Sequence, residues 1–359
     1  MLMQKKIIHK AKPFIKPNCH NKSIALHFML DNLIIYKILV LGLVCCCYLS
    51  CRKDSFNLQE TQLSVGLGYE EDVFWKTIFW DTDTAWVIGG QQYNKNTLLR
   101  STDGGNTWQP IPVDANKALF DMKWIDHQRG FISSYDCKVL RTLDAGNTWQ
   151  LYQGGTTDRP WQAFRGIDFA NDTLGIIVGG AGNSSGVAFR TTNGGDTWQQ
   201  MQGFDNELRD VQFVDQQTAF ACGYGIVLKT TNGGLSWFPL DIDGDFFVAL
   251  HFINPTTGWL VGNQGSIIKT TDGGYSWQRL RNGNSVFKPR LHFTDVHFTD
   301  TQNGYVLGNK LLWLTADGGN TFIQHQLSCD MPNSIAFKNE NEALVVGTDG
   351  CVYKIQIGD

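Results

Sequence analysis

Apolar and polar residues follow one another in short runs along the chain, each run closed by glycine or a polar cluster. Segments such as Ile226-Val227-Leu228-Lys229 and Ile267-Ile268-Lys269 have the length and β-branched content of strands. A second set ends in an aromatic residue: Thr77-Ile78-Phe79, Met122-Lys123-Trp124, Ile167-Asp168-Phe169, Val211-Gln212-Phe213, Leu250-His251-Phe252 and Val296-His297-Phe298. Each reads as the first strand of a unit. A more apolar strand such as Gly258-Trp259-Leu260-Val261-Gly262 follows it.

Between later strands one motif recurs in register. Ser101-Thr102-Asp103-Gly104-Gly105-Asn106-Thr107-Trp108 returns with its acceptor at Asp144, Asn193, Asn232, Asp272 and Asp317, six copies of [ST]-x-[DN]-x-G-x-[TS]-[WF]. Strands on both sides make it a hairpin turn. The Asp or Asn oxygen can accept the turn's own N–H groups, and the glycine two places on supplies φ > 0. Asn fills two of the six positions, so the site needs an acceptor and not a charge, and these residues are expected to be structural. The motif resembles the Asp box, or BNR repeat, of sialidase-like propellers.

The box acceptors are 41, 49, 39, 40 and 45 residues apart, about one four-stranded propeller blade each. The last unit, Ser334 to Ile355, has three strands and no box, while Asn57 to Leu63 looks like an orphan outer strand. The expectation is an all-β, seven-bladed β-propeller over 56–359, its last blade completed by the N-terminal strand. The alternative is six blades with an appended sheet. The combined pattern, best seen from Gly258 to Trp277, resembles the photosystem II stability/assembly factor-like proteins, a seven-bladed Asp-box family. The resemblance covers essentially all of 56–359. It implies a propeller whose best-known relatives assist assembly of a membrane complex, and many bacterial relatives belong to organisms without photosynthesis.

The N-terminus reads as an address. Lys37 precedes an apolar run, Ile38 to Leu49, that is short for a membrane span and fits a signal-peptide core. Leu49-Ser50-Cys51 then resembles a lipobox, with Tyr48 departing from the usual Leu. Residues 1–50 are expected to be the signal region, with the true start at Met29, and 51–55 a tether acylated at Cys51. A single membrane anchor is the alternative. Residues 1–50 carry seven Lys and one Asp, leaving an acidic body of 23 basic and 33 acidic residues. That balance argues against a nucleic-acid partner. Cys329 and Cys351 fall in one unit and could pair, or remain buried thiols.

Little points to catalysis, a cofactor or a metal. No C-x-x-C pair follows Cys51, and no H-x-x-x-H pair occurs. Asp241-Ile242-Asp243-Gly244-Asp245 resembles the start of a calcium loop, but Phe252 stands where the bidentate Glu belongs. Sialidases carry Arg-Ile-Pro and a Tyr–Glu pair; here that tripeptide is absent and Glu207 is the sole Glu between Glu71 and Glu340.

The expected function is a non-catalytic protein-binding or assembly scaffold, exported and lipid-anchored at a bacterial envelope, binding a protein. A carbohydrate-binding or glycosidase-like propeller is the alternative. Binding is expected on the face opposite the boxes, where the long loops 91–96, 154–161, 181–186 and 282–290 fall. Four places before the inner aromatics stand Trp75, Phe120, Arg165, Arg209, Val248, Thr294 and Asn333, which should ring the channel mouth. Arg159 and Trp161 should approach it from the longest loop. Arg165 and Arg209 either grip an anionic group of the partner or are paired with Asp168 and Asp210.

Overall fold

The computed structural model describes Lys6, Ile7 and residues 57–66, 68–153, 161–182, 185–242 and 244–358. Seven antiparallel sheets succeed one another along the chain, each led by an inner strand. The inner strands are Val73–Phe79, Leu119–Trp124, Ala163–Phe169, Leu208–Phe213, Phe247–Phe252, Phe293–Phe298 and Pro332–Asn339, in blades one to seven. Six blades are four-stranded meanders. In the seventh, Asn57–Gln62 lies against Val352–Gly358, in register from Asn57 opposite Gly358 to Gln62 opposite Tyr353. The N-terminal strand thus closes the ring, and Lys6–Ile7 adds a short fifth strand outside it.

Blades pack face to face, so the core lies between them. Trp86, Ile88 and Leu98 of blade one meet Leu119, Met122, Ile132 and Leu140 of blade two, all buried. The second strands Gly130–Ser134, Ala219–Gly223 and Gly258–Gly262 are buried at every position. Covered on both faces, they read as apolar runs and not as alternation.

The Asp boxes are hairpin turns of the expected kind. Asp103 Oδ1 accepts the N–H groups of Asn106 at 3.0 Å and Thr107 at 2.8 Å, and Oδ2 accepts the Thr107 hydroxyl at 2.7 Å. In the Asn boxes, Asn193 Oδ1 accepts the Thr197 N–H at 3.0 Å, while Nδ2 donates to the Thr197 hydroxyl at 3.0 Å. The amide reverses the hydroxyl bond and keeps the bond from the backbone N–H four places on. Burial pushes the Asp103 carboxyl up, but the Thr107, Ser101 and Asn106 donors outweigh it and hold the pKa at about 2.

Each box also fastens its blade to the one before. Both glycines of the first box have positive φ, 68° and 82°. The second has a further duty: a Cβ on Gly146 would lie 2.4 Å from the Trp86 ring, and one on Gly195 would lie 2.4 Å from Phe131. A basic residue on the third strand of each preceding blade reaches over the junction. Arg100 donates to Asn147 at 3.1 Å, Arg141 to Asp196 at 2.6 Å, and Arg190 to the Gly233 carbonyl at 2.7 Å. Lys229 donates to Gly273 O at 2.6 Å, Lys269 to Gly318 O at 3.3 Å, and Lys354 to Asn106 at 2.6 Å. Blade six has buried Leu314 at the matched position, beside the one blade that lacks a box.

A second belt runs around the lumen. Inner-strand side chains accept backbone N–H groups of the next blade: Asp121 from Ile167 at 3.0 Å, Asp168 from Phe213 at 2.6 Å, and Asp210 from Leu250 at 2.9 Å. Gln212 accepts from Phe252 at 2.8 Å, His251 Nδ1 from Phe298 at 3.1 Å, and Asp295 from Ile335 at 3.1 Å. Cys329 and Cys351 form a disulfide in blade seven, while Cys137 and Cys222 are buried thiols.

Candidate functional site at the channel mouth

Every inner strand shifts register near its start against its neighbour, between Phe74 and Lys76, Leu119 and Asp121, Phe164 and Gly166, Leu208 and Asp210, Phe247 and Ala249, Phe293 and Asp295, and Pro332 and Ser334, and the last shifts again between Phe337 and Asn339. The skipped residues are Trp75, Phe120, Arg165, Arg209, Val248, Thr294 and Asn333. A bulge gives its strand an extra residue and re-aims the side chain. All seven line one cavity of about 300 Å³ at the end of the channel opposite the boxes. The matched positions singled out in the sequence are therefore brought together by one backbone irregularity repeated in each blade.

The two arginines do not pair with Asp168 and Asp210, the partners that sequence proximity offered. Both lie against the buried carboxylate of Glu207, with Nε to Oε1 distances of 3.4 Å for Arg165 and 2.9 Å for Arg209. The bulge turns them toward the mouth, whereas Asp168 and Asp210 sit lower on the inner strands and serve the lumen belt. Asp168 also contacts Lys123 at 2.5 Å. Glu207 is fixed by the Gly182 N–H, which donates to Oε2 at 2.6 Å. The contacts to Oε1 are ionic, since neither Nε–H is directed at it. Among the described residues, the terminal guanidinium nitrogens of both arginines make no hydrogen bond to protein. Their planes are held by aromatic rings: Arg165 lies 4.2 Å from the Phe120 ring and 5.5 Å from Tyr135, and Arg209 lies 5.0 Å from Phe246. Burial, and then the Arg165 charge, pull Arg209 down to about 10 against the pull of Glu207, so it stays cationic at neutral pH.

Other expected residues divide. Thr294 spends its hydroxyl on the backbone, donating to Pro332 O at 2.8 Å, and Asn333 donates to Phe74 O at 3.0 Å. Trp75 packs on Phe120 with centroids 5.6 Å apart, and its indole N–H finds no partner. Trp161 is exposed in the loop before the blade-three inner strand but does not line the cavity. Arg159, Cys51 and Met29 lie outside the described residues, as do 8–56 in full. The acidic loop is a brace at its described end: buried Asp245 accepts the N–H groups of Gln264 at 2.9 Å and Ser266 at 3.0 Å.

Below the arginines lies a charged floor that position-matching along the sequence passed over. Lys76 stands 3.7 Å from Asp121. Burial works against its charge, but Asp121, Asp295 and Asp210 prevail and raise its pKa. Burial lifts Asp210 to about 7 against the pull of Lys76. The mouth thus offers guanidinium donors on aromatic platforms above a floor in which one ammonium serves three carboxyl groups. It can hold an anionic or hydrogen-bond-accepting group. Among the described residues no three His, Cys, Asp or Glu side chains are grouped to hold a metal ion, and no helix is long and apolar enough to cross a membrane.

Comparison with known proteins bears on this geometry. No curated protein matches the chain by sequence. A YCF48 structure bound to a D1 peptide superposes with a TM-score of 0.65 at 18% identity, covering 85% of this chain and 96% of that one. YCF48 from Cyanidioschyzon merolae gives 0.62 at 18% identity, covering 83% and 98%. An ancestral GH74 enzyme gives 0.62 at 14% identity, covering 81% of this chain but 46% of that one. At these identities the likeness is one of fold. The sequence profile of photosynthesis system II assembly factor YCF48 matches residues 106–237, 202–284 and 238–357, well over half of the chain. The chain therefore belongs to the family of photosynthesis system II assembly factor YCF48.

Proposed function

We propose that this protein is a non-catalytic, cell-envelope scaffold that captures a protein segment at its channel mouth. The observation that carries the reading is the Arg165–Glu207–Arg209 cluster. Two guanidinium groups share one buried carboxylate and leave their terminal donors to the cavity. Such a pair, packed on aromatic rings, suits an acidic side chain or terminal carboxylate of a partner. A YCF48 structure bound to a D1 peptide supports a protein partner in general. The partner here is a protein of the envelope.

The reading includes export and acylation at Cys51. The strand Asn57–Gln62 runs antiparallel to Val352–Gly358 and so enters the ring on the box face. A tether on residues 51–56 would approach from that side and leave the opposite mouth open to a partner. Metabolic labelling with a palmitate analogue tests the anchor, and label that persists in Cys51→Ala removes it.

The double substitution Arg165→Ala with Arg209→Ala tests the mouth. Capture of the partner from the protein's own membrane, in a pull-down, should fall at least about tenfold, the loss of one to two charge-assisted bonds. The melting temperature should fall, because buried Glu207 loses both of its cations, so circular dichroism must show that the variant used for capture is folded. Undiminished capture by a folded double variant would place the site elsewhere, on the loops of blades one and six. Unfolding would make the arginines part of the scaffold.

A further inference from the structure

The channel has a second opening, on the box face, built quite differently from the first. Its cavity of about 500 Å³ has two unlike walls. Blades seven, one and two contribute Phe337, Phe79, Trp80 and Trp124, all half-buried. In the next three blades the matched inner aromatics Phe169, Phe213 and Phe252 are buried between sheets. The aromatic wall is ordered: Trp80 stacks on Trp124 with centroids 4.5 Å apart, and Phe337 stacks on Tyr305 at 4.1 Å. Adjoining it stand Lys123, Asp168, His251 and His297, with the His297 ring stacked 5.9 Å from that of Phe337.

The polar wall carries no unpaired charge. Lys123 is neutralised by Asp168 at 2.5 Å. His251 accepts the Phe298 N–H at Nδ1, so its proton is on Nε2 and it can donate from there. Its ring lies 4.3 Å from that of His297. Burial, the neighbouring His297 and Lys76 push His251 down to about 3, and burial also lowers His297, so both are neutral imidazoles near pH 7. Lys123 has ammonium hydrogens beyond the one facing Asp168 and is partly exposed to the cavity.

We infer that this opening is a binding site for a neutral saccharide, with a pyranose ring laid on the Phe337–Phe79–Trp80 wall and its hydroxyls bonded to Lys123, Asp168, His251 and His297. A pyranose has an apolar C–H face for an aromatic platform and an edge of hydroxyls that both donate and accept. The deep end of the cavity, where Lys76 meets Asp121, Asp210 and Asp295, holds more carboxyl groups than ammonium groups and disfavours an anion, which the other mouth would prefer. The volume accommodates one or two sugar rings. The opening shares Lys76, Asp121, Asp210 and Asp295 with the mouth cavity but none of the arginine cluster, and the inference stands or falls apart from the scaffold reading.

The test is ligand-observed NMR and tryptophan fluorescence on the full chain, titrated separately with cellobiose, maltose, diacetylchitobiose and adenosine. At least one disaccharide should bind saturably, with Kd near or below about 10 mM, the weak end of specific recognition. His297→Ala and Phe337→Ala should each weaken it about tenfold or more, while Arg165→Ala with Arg209→Ala leaves it unchanged. Lys123→Met serves in place of Phe337→Ala should the latter not fold. Three results would overturn the inference: no saturable saccharide binding, binding of adenosine alone, or binding that survives the wall substitutions in a folded protein.

Discussion

The ring closes in its seventh blade, and the Cys329–Cys351 disulfide should be what makes that closure durable. The three C-terminal strands of this blade are locally connected, but the fourth comes from Asn57–Gln62, on the far side of the sequence. Cys351 immediately precedes the strand that receives it, and Cys329 lies in the loop leading to the inner strand. The bridge spans 22 residues and both cysteines are buried. For a loop of that length, the chain-entropy relation gives about 3 kcal/mol at 25 °C. In a propeller of this size that corresponds to a fall in melting temperature of about 5 °C. The perturbation is Cys329→Ala with Cys351→Ala, read by circular dichroism melting beside wild type with and without reductant. Reductant should lower the wild-type melt and free two thiols, yet leave the double variant's melt in place. Cys137→Ala with Cys222→Ala should keep the full response to reductant. If the wild type, shown by thiol titration to be reduced, melts within about 1 °C of its oxidised form, the closure does not depend on the bridge and the entropy argument fails here.

Three further outcomes follow from the junctions and the mouth. Leu314→Lys should cost about 2–4 kcal/mol in denaturant unfolding, because the new ammonium would be buried beside a blade with no box to receive it; a neutral result would mean the cation does not need the box. The box carboxylates of Asp103, Asp144, Asp272 and Asp317 are all held below their ordinary pKa, chiefly by donors of their own turns. Their contribution is present above the unfolded value near 4 and is lost as pH falls toward 2, so stability should drop over that window. Asp272→Asn should keep the fold and reduce the steepness of the drop, since Asn193 and Asn232 show that an amide fits; an unchanged acid limb would contradict this. Lys76→Met should destabilise more at pH 8 than at pH 5, because Asp210, whose carboxyl burial lifts to about 7, is then charged without the Lys76 cation, and equal losses at both pH values would refute that account.

The repeat made the architecture legible. Six boxes in register fix hairpin turns at one-blade spacing, and an unboxed last unit with an orphan N-terminal strand implies closure by borrowing. These are local features, since a turn's acceptor, its glycines and its flanking strands lie within about ten residues. Even the ring of mouth positions could be found by counting back from each inner aromatic. What counting could not supply was direction. A bulge turns Arg165 and Arg209 to the mouth while Asp168 and Asp210 stay with the lumen, so the carboxylate the arginines share is Glu207. In the sequence Glu207 looked incidental, valued only as evidence against an enzyme.

The sequence by itself thus determined the number of blades, the turns that join their outer strands and the residues that face the channel, because each depends on periodicity and on local backbone chemistry. Tertiary structure alone decided which blade's cation holds which box, why blade six carries Leu314, which half of the box-face opening is aromatic, and which acid meets the arginines. Apart from Glu207 with Arg209, two residues away, these contacts join residues about 40 or more positions apart in adjacent blades. They depend on how one sheet is rotated and offset against the next, and no local rule of pattern or propensity encodes that angle.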